Sequence, residues 1–249
     1  PRIFGPYEPI RRDYPVEEYL ADCWPEGITE AVYVQANWAP ERALEEVRFV
    51  AESARRAAFP IAIVAYADML AEDIRPQLDA LTAEPSVRGV RMQLHWHDNP
   101  LYRFAQSPDL ARDPLLQRNV ARLADYDWSF DLQVFAGQMA GAAELAMACP
   151  SVTFVLQHSG MLEDLTPEGI ASWRAGMQRL AACPNVVSTL SGLGTFLRRN
   201  DPAHVAFIAG ETLALFGAER CLFGSNFPIE KLWTTYAALI GAHRAGIPA

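Results

Sequence analysis

Short β-branched runs alternate with longer stretches of helical period along nearly the whole chain, and this alternation restricts the fold more than any other feature. Seven such runs can be read, over residues 31–37, 61–67, 88–95, 129–135, 152–158, 186–192 and 220–226. Strands separated by helices return in the same direction, so the repeat specifies a parallel sheet of βα units. Three intervening helices declare their starts: Asp113-Pro114, Thr166-Pro167 and Asp201-Pro202 each set a capping oxygen before a proline at the first helical position. After Pro40, Leu44, Val47, Val50, Ala51 and Ala54 share one helical face, as Ile170, Trp173, Met177 and Leu180 do later. Both stripes read as core, without a cofactor role. Pro85-Ser86-Val87, Pro150-Ser151-Val152 and Pro184-Asn185-Val186 recur where a helix gives way to a strand, which predicts one turn used three times.

The architecture expected is α/β, a distorted (β/α)8 TIM barrel with its first strand missing from the sequence as given. Seven units are one short of eight, and the chain opens in an aperiodic segment rich in proline and arginine. Pro1 and the closing Gly246-Ile247-Pro248-Ala249 read as trimmed ends. No linker or low-complexity tract interrupts residues 1–249, so a single barrel domain is expected. An open doubly wound sheet is the competing arrangement.

Composition narrows the partners. No apolar run approaches the roughly 18 to 20 residues of a membrane helix, and nothing resembles a signal peptide, so a cytoplasmic protein without a membrane partner is expected. A formal net charge of -9 with scattered arginines argues against nucleic acid, whose phosphates need a concentrated basic face. A small-molecule substrate is the expectation, and homo-oligomerisation stays open. Cys23, Cys149, Cys183 and Cys221 lie far apart without CxxC spacing, which predicts reduced, packed thiols.

In a parallel barrel the reacting groups stand at the carboxyl ends of the strands. Those ends are polar here: Gln35, Asn37 and the following Trp38; Asp68; Arg91, Gln93, His95 and His97; Asp131 and Gln133; His158; Ser191; and Asn226. Side chains alternate along a strand, so Arg91, Gln93 and His95 share one face, as do Asp131 and Gln133. An arginine and glutamines facing packed helices would be costly without partners, so this face is assigned to the barrel mouth. His158 is read either as a functional strand-end histidine or as a buried one satisfied by a backbone carbonyl. Arg91 is read either as an ion-pair partner of Asp131 or as a clamp for a substrate carboxylate. His95-Trp96-His97 has chelating spacing, yet two histidines make an incomplete metal site. His204 and His243 fall on helices and are expected to face solvent. Ser191 lies outside any GxSxG elbow and is not read as a nucleophile.

Phe223-Gly224-Ser225-Asn226-Phe227-Pro228, with Gln157-His158-Ser159-Gly160 and Leu190-Ser191-Gly192-Leu193, resembles the amidohydrolase-related metal-dependent hydrolases. Arg88-Gly89-Val90-Arg91 and Phe130-Asp131-Leu132-Gln133-Val134-Phe135 resemble the branch holding sugar lactonases and pyrone dicarboxylate lactonase. The resemblance runs from residue 31 onward. It implies hydrolysis of a cyclic ester at the barrel mouth, with one zinc in some members and none in others. It gives His158 the place of the histidine closing the sixth strand, and also makes it the candidate metal ligand. It gives Arg91 the place of an arginine gripping an acidic substrate, and puts Asn226 where the family usually carries aspartate.

Two departures bear on the chemistry. The family's His-x-His belongs to the first strand, so His95-Trp96-His97 on the fourth cannot be that pair. An amide has no proton affinity near neutrality, so Asn226 cannot be a general base. The expected catalytic set is therefore His158, Arg91 and Asn226. Gln93, His95, Asp131, Gln133, Trp38 and Gln35 are expected to bind substrate, Trp38 as a wall of the mouth. A metal-dependent decarboxylase on the same scaffold and an inactive small-molecule-binding relative are the alternatives.

Overall fold

The computed structural model describes residues 3–247; of the ends read as trimmed, Pro1 and Pro248-Ala249 lie outside them. Seven strands pair in chain order, each parallel to the next: β1 (Ala31–Val34), β2 (Ile61–Ala65), β3 (Val87–Val90), β4 (Ser129–Leu132), β5 (Phe154–Leu156), β6 (Val186–Leu190) and β7 (Cys221–Phe223). The helices are α1 (Val16–Cys23), α2 (Ala43–Arg56), α3 (Arg75–Leu81), α4 (Pro114–Ala121), α5 (Met139–Ala148), α6 (Pro167–Ala181), α7 (Pro202–Phe216) and α8 (Tyr236–Gly246). A strand order that never reverses excludes the doubly wound sheet, which needs a switch point. The sheet curls into a TIM barrel that is open between β1 and β7 among the described residues.

The punctuation read from sequence is physically in place. Asp113 accepts from the backbone N–H of Leu115 and Leu116, Thr166 from Gly169, and Asp201 from Ala203 and His204. The recurrent turn closes three times by the same bond: Val87 N–H to Glu84 O at 3.1 Å, Val152 to Cys149 at 3.1 Å and Val186 to Cys183 at 3.2 Å. All four cysteines are free.

Alternation sorts the strand residues into two faces. Tyr33 donates its hydroxyl to Glu46 of α2 at 2.7 Å, so its neighbours Val32 and Val34 face inward. Outward-facing Ile63, Val90, Phe130, Leu132, Phe154 and Val186 join helix residues such as Val47, Leu78, Leu116, Leu145 and Trp173 in one core. Inward-facing Val32 and Leu222, on the two edge strands, remain 63% and 50% exposed because no strand lies between them. Outside that opening, α1 packs on α8, with Leu20, Cys23, Phe59, Tyr236 and Ile240 forming a second small core.

The strands are shorter at their carboxyl ends than the sequence indicates. The ladder stops after Val34, Val90, Leu132 and Leu156, and single bonds such as Arg91 N–H to Ala65 O at 2.8 Å carry the chain a step further. Past that point the inward side chains are long and polar, from Arg91 and Gln93 to Asp131 and Gln133.

At β5 the departure is sharper. His158, Ser159, Gly160 and Met161 all have positive φ, of 57°, 47°, 70° and 51°, and Met161 N–H bonds His158 O at 2.9 Å. The segment is one left-handed turn, a conformation costing roughly 1–2 kcal/mol for each non-glycine residue. Its neighbours hold it: His158 N–H donates to Thr189 Oγ1 at 3.0 Å, Ser159 Oγ to Thr189 O at 3.2 Å, and Trp173 Nε1 to Ser159 O at 2.8 Å. Trp173 is fully buried. Trp173→Phe leaves the Ser159 carbonyl unsatisfied beside a small void and is expected to lower the unfolding free energy by about 2–4 kcal/mol in urea titration; an unchanged midpoint would show that the turn does not depend on this bond.

Candidate active site

The inward face beyond β3 and β4 collects buried polar groups under one positive charge. Arg91 donates through a terminal nitrogen to the Gln35 carbonyl, and its buried Nε has no partner. Asp131, only 1% exposed, accepts from Gln157 Nε2 at 2.8 Å through Oδ2, while Oδ1 has no partner. The direct Arg91–Asp131 ion pair allowed by the sequence therefore does not form. Burial pushes the Asp131 carboxyl up to about 7, and the Arg91 charge offsets only part of that. Burial, then the Arg91 charge, then His158 hold His95 down at about 3. Burial followed by Arg91 holds His158 at about 4, with the Ser191 main chain pulling slightly the other way. Both rings are neutral at pH 7.

The remaining candidates divide between those the mouth gathers and those it does not. Gln93 is buried on the face of Arg91, and Gln133 bonds Met161 Sδ at 3.4 Å through Nε2 with its Oε1 unpartnered. Gln35 Oε1 accepts from Asn37 N–H at 2.7 Å, leaving Nε2 without a partner. His95 lies among aromatic rings, 5.6 Å from Phe104 and 5.9 Å from Phe135, its buried Nδ1 unpartnered. His97 turns away to face Glu163, Nε2 to Oε1 3.6 Å, so the two histidines do not act as a chelating pair. Trp38 is not a wall of the mouth: its ring packs on Phe49 of α2 at 5.8 Å under the Arg42 guanidinium. His243, expected in solvent, is 3% exposed with its ring against Phe223 at 5.1 Å, and His204 is half-buried. The apolar faces of α7 and α8 pack on each other and draw these side chains in.

His158 and Asn226 meet across Gly192. A Cβ on this glycine, whose φ is +61°, would stand 2.7 Å from His158 Nδ1 and 3.2 Å from Asn226 Nδ2. Only glycine lets the ring and the amide approach here. Asn226 also has positive φ, and its Nδ2 makes a long 3.5 Å bond to Glu230 Oε1. Glu230 is fully buried, its Oε2 accepting from Trp233 Nε1 at 2.6 Å, and burial pushes its carboxyl up to about 7.

Sequence reasoning passed over Gln157, Thr189, Glu230 and Gln138. Gln138 is the buried residue that shapes the loop after Leu94, accepting from Trp96 N–H at 2.8 Å and donating to Leu94 O at 2.8 Å. Gln157 could have been found by alternation, since it shares the inward face of Val155. The others act through contacts that no local pattern announces.

A parallel barrel with a polar mouth at its strand tips defines the class. The amidohydrolase family model matches residues 2–247, so the chain belongs to the amidohydrolase family. An uncharacterized protein of Sinorhizobium fredii is 32% identical over 98% of this chain and 82% of its own length. An L-fucono-1,5-lactonase of Burkholderia multivorans is 32% identical over 91% of this chain and 76% of its own. The crystal structure of a Burkholderia multivorans amidohydrolase with bound zinc superposes with a TM-score of 0.81 at 28% identity, covering 95% of this chain and 82% of that one.

Among the described residues no three His, Cys, Asp or Glu side chains converge, Asn226 is an amide, and His95 lies among aromatic rings. The residues described do not fit a metal centre.

The buried carboxyl of Glu230 yields a stability prediction. Its folded value near 7 lies above the ordinary 4.5, so the folded state holds a proton that the unfolded chain releases. That contribution is complete below about pH 4.5 and is lost as pH rises through about 7. Glu230→Gln is expected to remove this part of the pH dependence, so the difference in urea midpoint between variant and wild type should shift in the variant's favour from pH 5 to pH 8. A constant difference would place a charged Glu230 in the folded protein at both pH values.

Proposed function

We propose that this chain hydrolyses a small hydroxylated cyclic ester, a lactone, by attack of water on its carbonyl. The observation that carries the reading is the mixture of unpartnered buried atoms on one inward face: the donor Arg91 Nε, and the acceptors Asp131 Oδ1 and Gln133 Oε1. A buried polar atom without a partner costs about 1–3 kcal/mol, so bound water or ligand hydroxyls that supply the missing bonds are favoured there. Hydroxyl groups donate and accept at once and suit both kinds of atom. A dicarboxylate only accepts and leaves the acceptor Gln133 Oε1 unsatisfied, which argues for a sugar-type lactone over a pyrone dicarboxylate. Relatives named as L-fucono-1,5-lactonases support the same class.

In this mechanism Asp131 and Gln133 hold hydroxyls and orient the ring, while Gln35, expected to bind substrate, lies on the helix-facing side of β1 with Tyr33 and takes no part; Asn226 holds the attacking water through its amide oxygen. His158 takes the proton of that water at Nε2 as the oxygen bonds to the lactone carbon. Arg91 faces the oxyanion that develops on the carbonyl oxygen. When the tetrahedral adduct collapses, the ring C–O bond breaks and the leaving oxygen recovers the proton from His158, giving the hydroxy acid.

The test is a panel of five- and six-membered sugar lactones assayed by acid release with a pH indicator. Wild-type protein is expected to hydrolyse at least one. His158→Gln should lower kcat/KM by roughly 100- to 10,000-fold, and Arg91→Gln by roughly 100- to 1000-fold. Because a base must be unprotonated, the acid limb of the wild-type profile should fall as pH drops through about 4. Wild-type turnover in His158→Gln would remove His158 from the mechanism, and inertness toward every lactone would overturn the reading.

A further inference from the structure

We infer that Thr189 and Ser191 fix which nitrogen of His158 carries the proton, holding the ring in the Nδ1–H form with the Nε2 lone pair turned to substrate. The argument is a count of hydroxyl protons. Thr189 Oγ1 lies 3.3 Å from the Leu156 carbonyl, which can only accept, so the single Thr189 proton is committed there. Thr189 Oγ1 and Ser191 Oγ are 3.0 Å apart, and with the Thr189 proton spent, Ser191 must donate. Ser191 Oγ is in turn 2.8 Å from His158 Nδ1. Its proton is now spent too, so Nδ1 must be the donor. The chain runs from Nδ1–H to Ser191 Oγ, to Thr189 Oγ1, to the Leu156 carbonyl.

The opposite direction is chemically complete from Thr189 through Ser191 to Nδ1, but it gives up the bond to Leu156. The second bond on Thr189 reinforces the direction chosen. Its Oγ1 accepts from His158 N–H at 3.0 Å, so the residue that orders the hydroxyl chain also holds the backbone of the histidine it serves. Gly192 leaves room for the ring, and Gly224 leaves room for Ser191, since a Cβ there would stand 2.7 Å from Ser191 Cβ. The proton lands on Nε2 without any hydroxyl having to rotate, because Nδ1 donates to Ser191 before and after the transfer. Thr189 and Ser191 are thus positioning residues that act through His158.

The use made of this lone pair rests on the lactonase reading, but the tautomer itself can be observed without substrate. Protein labelled with 15N in histidine is examined at pH 7 by long-range proton–nitrogen correlation, His158 being assigned by its loss in His158→Gln. Wild type is expected to show neutral His158 protonated at Nδ1. Thr189→Val removes the hydroxyl chain and is expected to bring up the Nε2–H form, with Thr189→Ser restoring the original pattern. Ser191→Ala serves the same end should Thr189→Val not fold. On a lactone the wild type hydrolyses, Thr189→Val should lower kcat roughly 10- to 100-fold with KM little changed. Wild-type His158 protonated at Nε2, or an unshifted tautomer in both variants, overturns the inference. A correct tautomer in a protein that hydrolyses no lactone leaves this inference standing and removes the proposed activity instead.

Discussion

The positive charge of Arg91 is the constraint around which the barrel mouth is arranged. A guanidinium set among strand tips stays charged, because its proton affinity is too high for burial to neutralise it. Every ionisable group nearby then adjusts to it. His95 and His158 remain neutral chiefly because they are buried, and a second positive charge beside Arg91 is unfavourable on top of that. Asp131 is the natural counter-charge, yet it gives its bonded oxygen to Gln157 and presents the other unpartnered. An Arg–Asp pair closed on itself would be electrostatically content and inert. Here both partners keep an open valence on the same inward face.

The left-handed turn at His158 is the second cost the fold carries. Three non-glycine residues in αL are unfavourable by their own backbone preferences, and such strain persists only where the surroundings over-determine it. Here β6 supplies the restraint through Thr189 and Ser191, and α6 supplies it through Trp173. The same atoms hold the histidine and set its hydrogen-bonding partner, so the fold and the chemistry of the site meet at one side chain.

Most of the fold was legible because it follows from periodicity. The order of the strands, the capped helix starts and the thrice-used turn are all local patterns, and the inward face of Arg91, Gln93 and His95 follows from alternation alone. Trp38 and His243 were misplaced for a common reason. A large ring just beyond a strand, or a histidine on a helix, goes where the nearest apolar surface lies, and that surface belongs to Phe49 in one case and Phe223 in the other. Thr189 was invisible for a different reason: its side chain has no chemistry of its own, and its role exists only once β5 and β6 lie side by side.

The substitution of an amide at Asn226 raises the question of where base function could reside. Glu230, one helical turn away, carries a carboxyl near 7, but it is fully buried with both oxygens engaged, one of them by Trp233 at 2.6 Å. A group so enclosed can orient Asn226 but has no open oxygen for a water proton. Asp131 has an open oxygen, yet near neutrality it is only partly ionised, and its second oxygen is held by Gln157. His158 differs from both. Its low proton affinity leaves it unprotonated across the neutral range, and its contact with Ser191 Oγ occupies Nδ1. A weak base is a slow proton acceptor in water, but beside a fixed positive charge the hydroxide being generated is stabilised as well, which lowers the proton affinity the base must supply. In the proposed reaction His158 as base and Arg91 as the stabilising charge would work as one unit, and removing either would change the demand placed on the other.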